Sequence, residues 1–290
     1  MFKIILSKLI KIVILIIVIQ SMIIGCSKLK KENEKILNKN TDTNIIFGVI
    51  ESINPLIISG NEFKIDKKKN YTKKINLIKK LNRGQNVIAS YVLNKGSLEI
   101  TSIKQDNILI APVSFIGDAE LIVLNQKIII SDMKSEELKK IMPGHWVKVS
   151  GFYQKEGEIL STHIQLIASQ SIGYIKGKVS EIDKNTISIG RQNFKIRAPV
   201  SSTVSGDIVK IVFTKEDDLY KTFEIENLSN KYINLINHNI IIEGFIFKGD
   251  DKKFRVSGFP FIIYNSSALS IRDRLIIKGK ILAGSIIDNK

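Results

Sequence analysis

From Ile45 onward the chain alternates short apolar runs, rich in Ile and Val, with Gly, Asn and Asp. This is the signature of strands of about four to eight residues joined by tight turns. Long stretches of helical period are missing, and the best helical segments are Thr72 to Leu81 and Ser135 to Ile141, both short and both set among strands. The pattern also repeats. Ile46-Phe47-Gly48-Val49-Ile50 and Ile175-Lys176-Gly177-Lys178-Val179 each open a unit with Gly at the third strand position, and each is followed by a paired strand, Glu62 to Ile65 or Asn193 to Ile196. A Gly turn then runs into a further strand at Gly84 to Val87, Gly144 to Val147 and Gly206 to Val209, and a Gly-led hairpin closes the unit at Gly96 or Gly157.

The second unit opens less clearly, near Phe115-Ile116-Gly117, and the fourth near Ile242-Glu243-Gly244, where the turn is Arg272-Asp273-Arg274. The opening glycines are taken as Gly48, Gly117, Gly177 and Gly244, about 60 to 70 residues apart, the size of one small domain each. The units are assigned to residues 45–107, 108–170, 171–232 and 233–290, the last divergent. Five strands in so short a unit bury little as an open sheet, whereas closure removes the edges. The expected fold is all-β: tandem small five-stranded OB-like barrels.

The layout resembles the bacterial family catalogued as domain of unknown function 5666. The features carried over are the opening strand with its Gly, the three Gly turns named above, and a closing hairpin that ends near Ile103 or Ile164. The resemblance spans most of Ile45 to Ile287 and departs at Asp273. It implies small repeated barrels in exported proteins and supplies no activity and no site.

The amino terminus reads differently. Lys3, Lys8 and Lys11 precede the apolar run Ile12 to Ile19, which Gln20 and Ser21 break. The order is that of a secretory signal, and the run falls short of the roughly 20 apolar residues of a membrane span, although an uncleaved anchor is the alternative. Ile23-Ile24-Gly25-Cys26 resembles the bacterial lipobox. That resemblance implies cleavage after Gly25, with Ile23, Ile24 and Gly25 read by the signal peptidase. It also implies thioether attachment of diacylglycerol to Cys26 and acylation of the new amino group. Residues 1–25 are then the signal and 26–44 a Lys-rich tether. Two or three acyl chains suffice for stable anchoring. Ser27 is not the Asp that marks inner-membrane retention, so the outer membrane is expected if the organism has one.

Of 290 residues, 44% are hydrophobic and 25% charged, with a formal charge of +16. Lys dominates the basic residues alongside abundant Ile and Asn, a bias that follows AT-rich coding. Loss of the three signal lysines leaves a mature charge of about +13, which favours anionic headgroups. The single cysteine excludes a disulfide framework within the chain.

Candidate chemistry is sparse. His145 and His163 fall in one unit, with Trp146 beside the Gly144 turn, and these three form the candidate ligand-contact set; His238 stands alone. No third metal ligand accompanies them, so neither a metal nor a cofactor is expected. Glu216-Asp217-Asp218 and Asp250-Asp251 sit among turn-formers and read as hairpin tips. No G-x-S-x-G elbow or phosphate-cradling Gly loop is present. Phe63, Tyr91, Phe194 and Phe254 superficially suit a nucleic-acid groove, but export opposes it and the repeat positions of Phe63 and Phe194 indicate core. The expected function is a lipid-anchored, non-catalytic envelope protein, a multivalent binding or scaffolding module for an envelope protein or glycan. The membrane, through Cys26, is the first partner, and no specific nucleic acid is expected. The alternative is an envelope enzyme or metal-binding protein working from the second unit.

Overall fold

A computed structural model of the protein describes residues 44–65, 78–130, 138–196, 202–216, 219–249, 251–264, 272–282 and 285–288. Ile23, Ile24, Gly25 and Cys26 lie outside them, as do Asp217, Asp218, Asp250 and most of the Thr72 to Leu81 segment. The described part of the Ser135 to Ile141 segment holds a 3-10 turn at Leu138–Lys140.

Barrel 1 comprises β1 (Asn44–Ile53), β2 (Leu56–Ile58), β3 (Asn61–Ile65), β4 (Asn86–Asn94) and β5 (Ser97–Gln105). The strands bond in the order β1-β2-β3-β5-β4, and β4 returns to β1, so the sheet closes. β3 and β5 run parallel; the other pairs are antiparallel. The circuit recurs in barrel 2 with β6 (Leu109–Ile116), β7 (Glu120–Val123), β8 (Gln126–Ile129), β9 (Trp146–Lys155) and β10 (Glu158–Ile167). Barrel 3 uses β11 (Ile172–Ile182), β12 (Thr186–Ile189), β13 (Gln192–Lys195), β14 (Ile208–Glu216) and β15 (Leu219–Asn227). A short helix, α1 (Leu228–Ile233), leads to barrel 4: β16 (Asn239–Lys248), β17 (Phe254–Val256), β18 (Ile262–Tyr264), β19 (Arg274–Leu282) and β20 (Ser285–Asp288). The five-stranded closed barrels are those the patterning predicts.

One hydrogen-bonded clamp defines the repeat. The Gly84 N–H donates to the Ile50 carbonyl (2.7 Å) while the Ile50 N–H donates to the Gln85 carbonyl (3.0 Å). Gly144, Val113 and His145 repeat it, then Gly206, Val179 and Asp207, then Arg272, Ile246 and Asp273. The clamp needs a left-handed residue at its first position: φ is 85° at Gly84, 87° at Gly144, 96° at Gly206 and 75° at Arg272. The fourth unit therefore keeps the turn and places an L side chain in it. Relieving that conformation is worth about 1–2 kcal/mol, offset by the roughly 0.5–1 kcal/mol that glycine loses on ordering. Arg272→Gly is thus expected to stabilise the protein by about 0.5–1 kcal/mol, read as a higher urea midpoint; an unchanged or lower midpoint would contradict it.

The clamp also corrects the opening of the second unit. Two residues before Ile50, Val179 and Ile246 stand Gly48, Gly177 and Gly244, but two before Val113 stands Ala111. Gly117 lies beyond the end of β6, in the turn toward β7. The glycines are needed because the second strand crosses closely here. A Cβ on Gly48 would overlap the Ser59 hydroxyl, and one on Gly244 would sit 2.5 Å from Val256 Cγ1. In the first three barrels the opening strand also carries a bulge just past the clamp, between Ile50 and Ser52, Val113 and Phe115, and Val179 and Glu181. Such bulges bend a strand and raise its twist, which closing so small a barrel requires.

Inward residues fill the barrels. Phe194 and Phe213 pack with their rings 5.4 Å apart in barrel 3, and Phe63 with Tyr91 at 5.3 Å in barrel 1. The barrels are not arranged in chain order. β1 pairs in parallel with β16 from Ile45 opposite Ile240 to Phe47 opposite Ile242, joining the first barrel to the last. β6 pairs with β11 through Ile110 opposite Tyr174 and Leu109 opposite Ile175, joining the second to the third. The two pairs touch through Val49, Phe152 and Phe245, from barrels 1, 2 and 4.

Candidate functional site

The residue before each opening Gly, or before Ala111 in barrel 2, is Phe47, Ile110, Lys176 or Glu243. Alternation along a strand turns this position away from its own barrel, toward the neighbours. Phe47, Lys176 and Glu243 duly meet at one cavity of about 60 Å³ where all four barrels converge. Its walls include Asn86 from barrel 1, Phe152 and Tyr153 from barrel 2, Tyr232 from α1 and Phe259 from barrel 4. This volume holds a few water molecules or one small chemical group. Drug-sized ligands need about 300 Å³ or more.

Glu243 is 6% exposed and fully engaged. It accepts from the Ser59 hydroxyl (2.6 Å), from the Val49 N–H (3.3 Å) and from Arg274 Nε (2.8 Å) and Nη2 (2.6 Å). The Arg274 guanidinium in turn lies 4.6 Å from the centre of the Phe152 ring, a cation–π contact to barrel 2. One carboxylate thus ties β1, the β2–β3 turn, β16 and β19 together, and its arginine reaches a third barrel. Phe47, Tyr232, Phe259 and Phe261 form a ring cluster beside it, with centroids 5.1 to 6.3 Å apart.

A second charged group borders the cavity. Lys176 Nζ lies 2.7 Å from the Asp106 carboxylate and 3.1 Å from its carbonyl, and Lys231 pairs with Glu226 at 2.7 Å. Lys210 sits 4.5 Å over the Tyr174 ring. Lys104 interacts at longer range with Asp106, Lys231, Lys176 and Glu226. Burial is the main force pushing the pKa of Lys176 and of Lys104 down, with Asp106 opposing it in both cases. Burial likewise pushes the phenols of Tyr153, Tyr174 and Tyr232 up.

The candidate residues of the second unit are dispersed. His145 Nδ1 accepts from the Met142 N–H (3.3 Å). The equivalent side chains do the same three residues back: Gln85 accepts from Asn82 and Asp207 from Val204. His145 is therefore a turn cap. Trp146 is buried at 7% exposed, on the face of β9 opposite Val147 and Val149. His163 faces Ser150 across the β9–β10 ladder, five residues and so about 17 Å along the strand from His145, and beside Gly84 of barrel 1. His238 Nδ1 lies 3.2 Å from the Leu235 carbonyl in the turn before β16. No common site unites His145, Trp146 and His163.

Of the acidic groups, Asp251 forms a two-point pair with Arg255, which holds its carboxyl well below the usual range, and Glu216 pairs with Lys221. Phe63, Tyr91 and Phe194 point inward and offer no stacking surface.

Residues 111–165 match the family described as Domain of unknown function (DUF5666). That stretch runs from β6 to β10 and so falls within barrel 2, narrower than the four units over which the sequence pattern suggests the likeness. No curated protein matches the chain. Over its second barrel the chain resembles the DUF5666 family, and the same strand circuit recurs in the other three.

Proposed function

We propose that the protein is a lipid-anchored, non-catalytic component of the cell envelope that binds an envelope protein or glycan through several outer faces of one rigid body. The observation that carries this reading is the pairing of β1 with β16 and of β6 with β11. Barrels joined by backbone ladders keep their outer faces at set spacing, so weak contacts on separate barrels reinforce one another through effective concentration. Leu93, Phe115, Phe223 and Tyr264 are exposed apolar side chains, one on each barrel, available for such contacts. The non-catalytic reading is supported by the junction's own chemistry: Lys176, Lys231 and Glu243 are each held by an opposite charge.

The anchor reading rests on Cys26 and its lipobox, with a tether that spans at most about 68 Å when extended. Cys26→Ser is expected to leave the precursor uncleaved or to shed the protein from membranes, read by fractionation and intact mass. Crosslinking in intact cells, with purification through a carboxy-terminal tag, should then recover an envelope protein or glycan in stoichiometric amount. Phe223→Ser should reduce that recovery several-fold. Recovery of lipid and background alone would overturn the binding reading, and unchanged fractionation of Cys26→Ser would overturn the anchor.

A further inference from the structure

Four lysines from three parts of the fold form one charged group, and one of them, Lys176, which stands opposite Lys210 in the β11–β14 ladder, lines the central cavity. Lys104 ends barrel 1 on β5, Lys176 and Lys210 come from β11 and β14 of barrel 3, and Lys231 lies in α1. Among the described residues two carboxylates interact with them: Asp106 pairs with Lys176 and Glu226 with Lys231, Glu226 also standing opposite Lys210 across the β14–β15 ladder. Lys104 and Lys210 have no carboxylate of their own among the described residues. Lys210 rests on the Tyr174 ring, and Lys104 is half-buried with Lys231 and Lys176 as like-charged neighbours.

Gathering like charges in a partly desolvated place opposes folding unless an opposite charge is supplied. The sequence nonetheless brings them together from chain positions more than a hundred residues apart. We propose that this cluster, at the side of the cavity walled by Phe47, Tyr232 and Phe259, is a binding site for a phosphoryl group. The excess of two positive charges matches a phosphate monoester dianion, and ammonium groups bind phosphate as point charges without needing a fixed fork. The aromatic wall would take the apolar part of an organic phosphate, and the cavity's size limits what enters to a small group. This site is distinct from the outer faces assigned to the envelope partner, and it stands or falls independently of them.

The test uses the full mature chain in detergent. Calorimetry with inorganic phosphate and with glycerol phosphate should show saturable binding, and Lys104→Met and Lys210→Met should each weaken it about tenfold or more, the scale of losing a charged hydrogen bond. Lys104→Arg, which keeps the charge, should retain most of the affinity and shows that the Met effect is not misfolding. Lys95→Met, on the exposed β4–β5 hairpin, should leave binding unchanged. Vesicles containing phosphatidic acid, whose headgroup is a phosphate monoester, separate the sources. Binding to vesicles alone, lost in Lys104→Met, would identify a lipid headgroup as the source of the bound phosphoryl group. Absence of saturable binding to any of the three probes would overturn the proposal, and so would an equal loss in Lys95→Met, which would mark diffuse charge attraction.

Discussion

Arg274→Met is expected to lower the unfolding free energy by about 3–5 kcal/mol, the usual cost of leaving one member of a buried ion pair alone. Arg274 is itself about a third exposed, but the group it leaves behind, Glu243, is almost wholly buried at 7% side-chain exposure. Without the guanidinium the carboxylate keeps only the Ser59 hydroxyl and a long bond from the Val49 N–H. Those two donors do not replace a two-point charged contact. The cation–π contact with Phe152 is lost as well, loosening barrel 4 from barrel 2. The double variant Glu243→Leu with Arg274→Met should recover most of the loss, because replacing both charges by apolar groups removes the desolvation penalty. Urea unfolding of the three proteins decides the matter: a single-variant loss below about 1 kcal/mol, or a double variant no better than the single, would show that the pair is not a keystone.

Gly84→Ala and Gly144→Ala should differ although the two glycines have nearly the same φ. A methyl on Gly144 meets nothing within 4 Å, so it incurs only the left-handed penalty of about 1–2 kcal/mol, offset by the roughly 0.5–1 kcal/mol of ordering cost that removing a glycine recovers. A methyl on Gly84 would also overlap the Thr162 carbonyl oxygen of barrel 2. Around that contact the Thr162 hydroxyl donates to the Gly84 carbonyl (2.6 Å) and the Asn86 side-chain amide to the Gly151 carbonyl (3.0 Å). Since the obstacle is backbone, a rotamer change cannot make room; barrels 1 and 2 must separate. Overpacking of this sort adds about 1–3 kcal/mol, so Gly84→Ala is expected to lose about 2–4 kcal/mol in all. Equal losses at the two positions in urea unfolding would show that the barrel 1 turn does not dock on barrel 2.

The repeat made much of the fold legible in the sequence. Alternating apolar positions marked the strands, and Gly84, Gly144 and Gly206 marked the clamp turn of the first three units, whose first position is left-handed. Gly117 misled because a glycine in a β-rich stretch satisfies a loose pattern; only the clamp bonds reveal that Ala111 holds the place. His145 misled for a related reason. Its equivalents are Gln85, Asp207 and Asp273, and all four are side chains able to accept a hydrogen bond. Aligning the turns by that property points to a cap. The junction residues carry a signal of their own: Lys176 and Glu243 are charges set in apolar strands at the same repeat position, facing away from their own core, and each is answered by an opposite charge, Lys176 by Asp106 and Glu243 by Arg274 on the next strand of its own barrel.

The sequence by itself determined the parts, the strand pattern and the closed five-stranded unit, and in Ile23 to Cys26 it carries the lipobox resemblance on which the proposed anchor rests. These follow from local periodicity and from short motifs, whose physics is settled within a few residues. Only the tertiary structure decided that barrel 1 pairs with barrel 4, that Arg274 answers Glu243 and reaches Phe152, and that Lys104, Lys176, Lys210 and Lys231 share one corner of the junction. Those relations join residues up to about two hundred positions apart, and no local preference encodes them. They arise because outward-facing side chains on the opening strands must be buried or paired, and the other barrels supply much of the surface that does so.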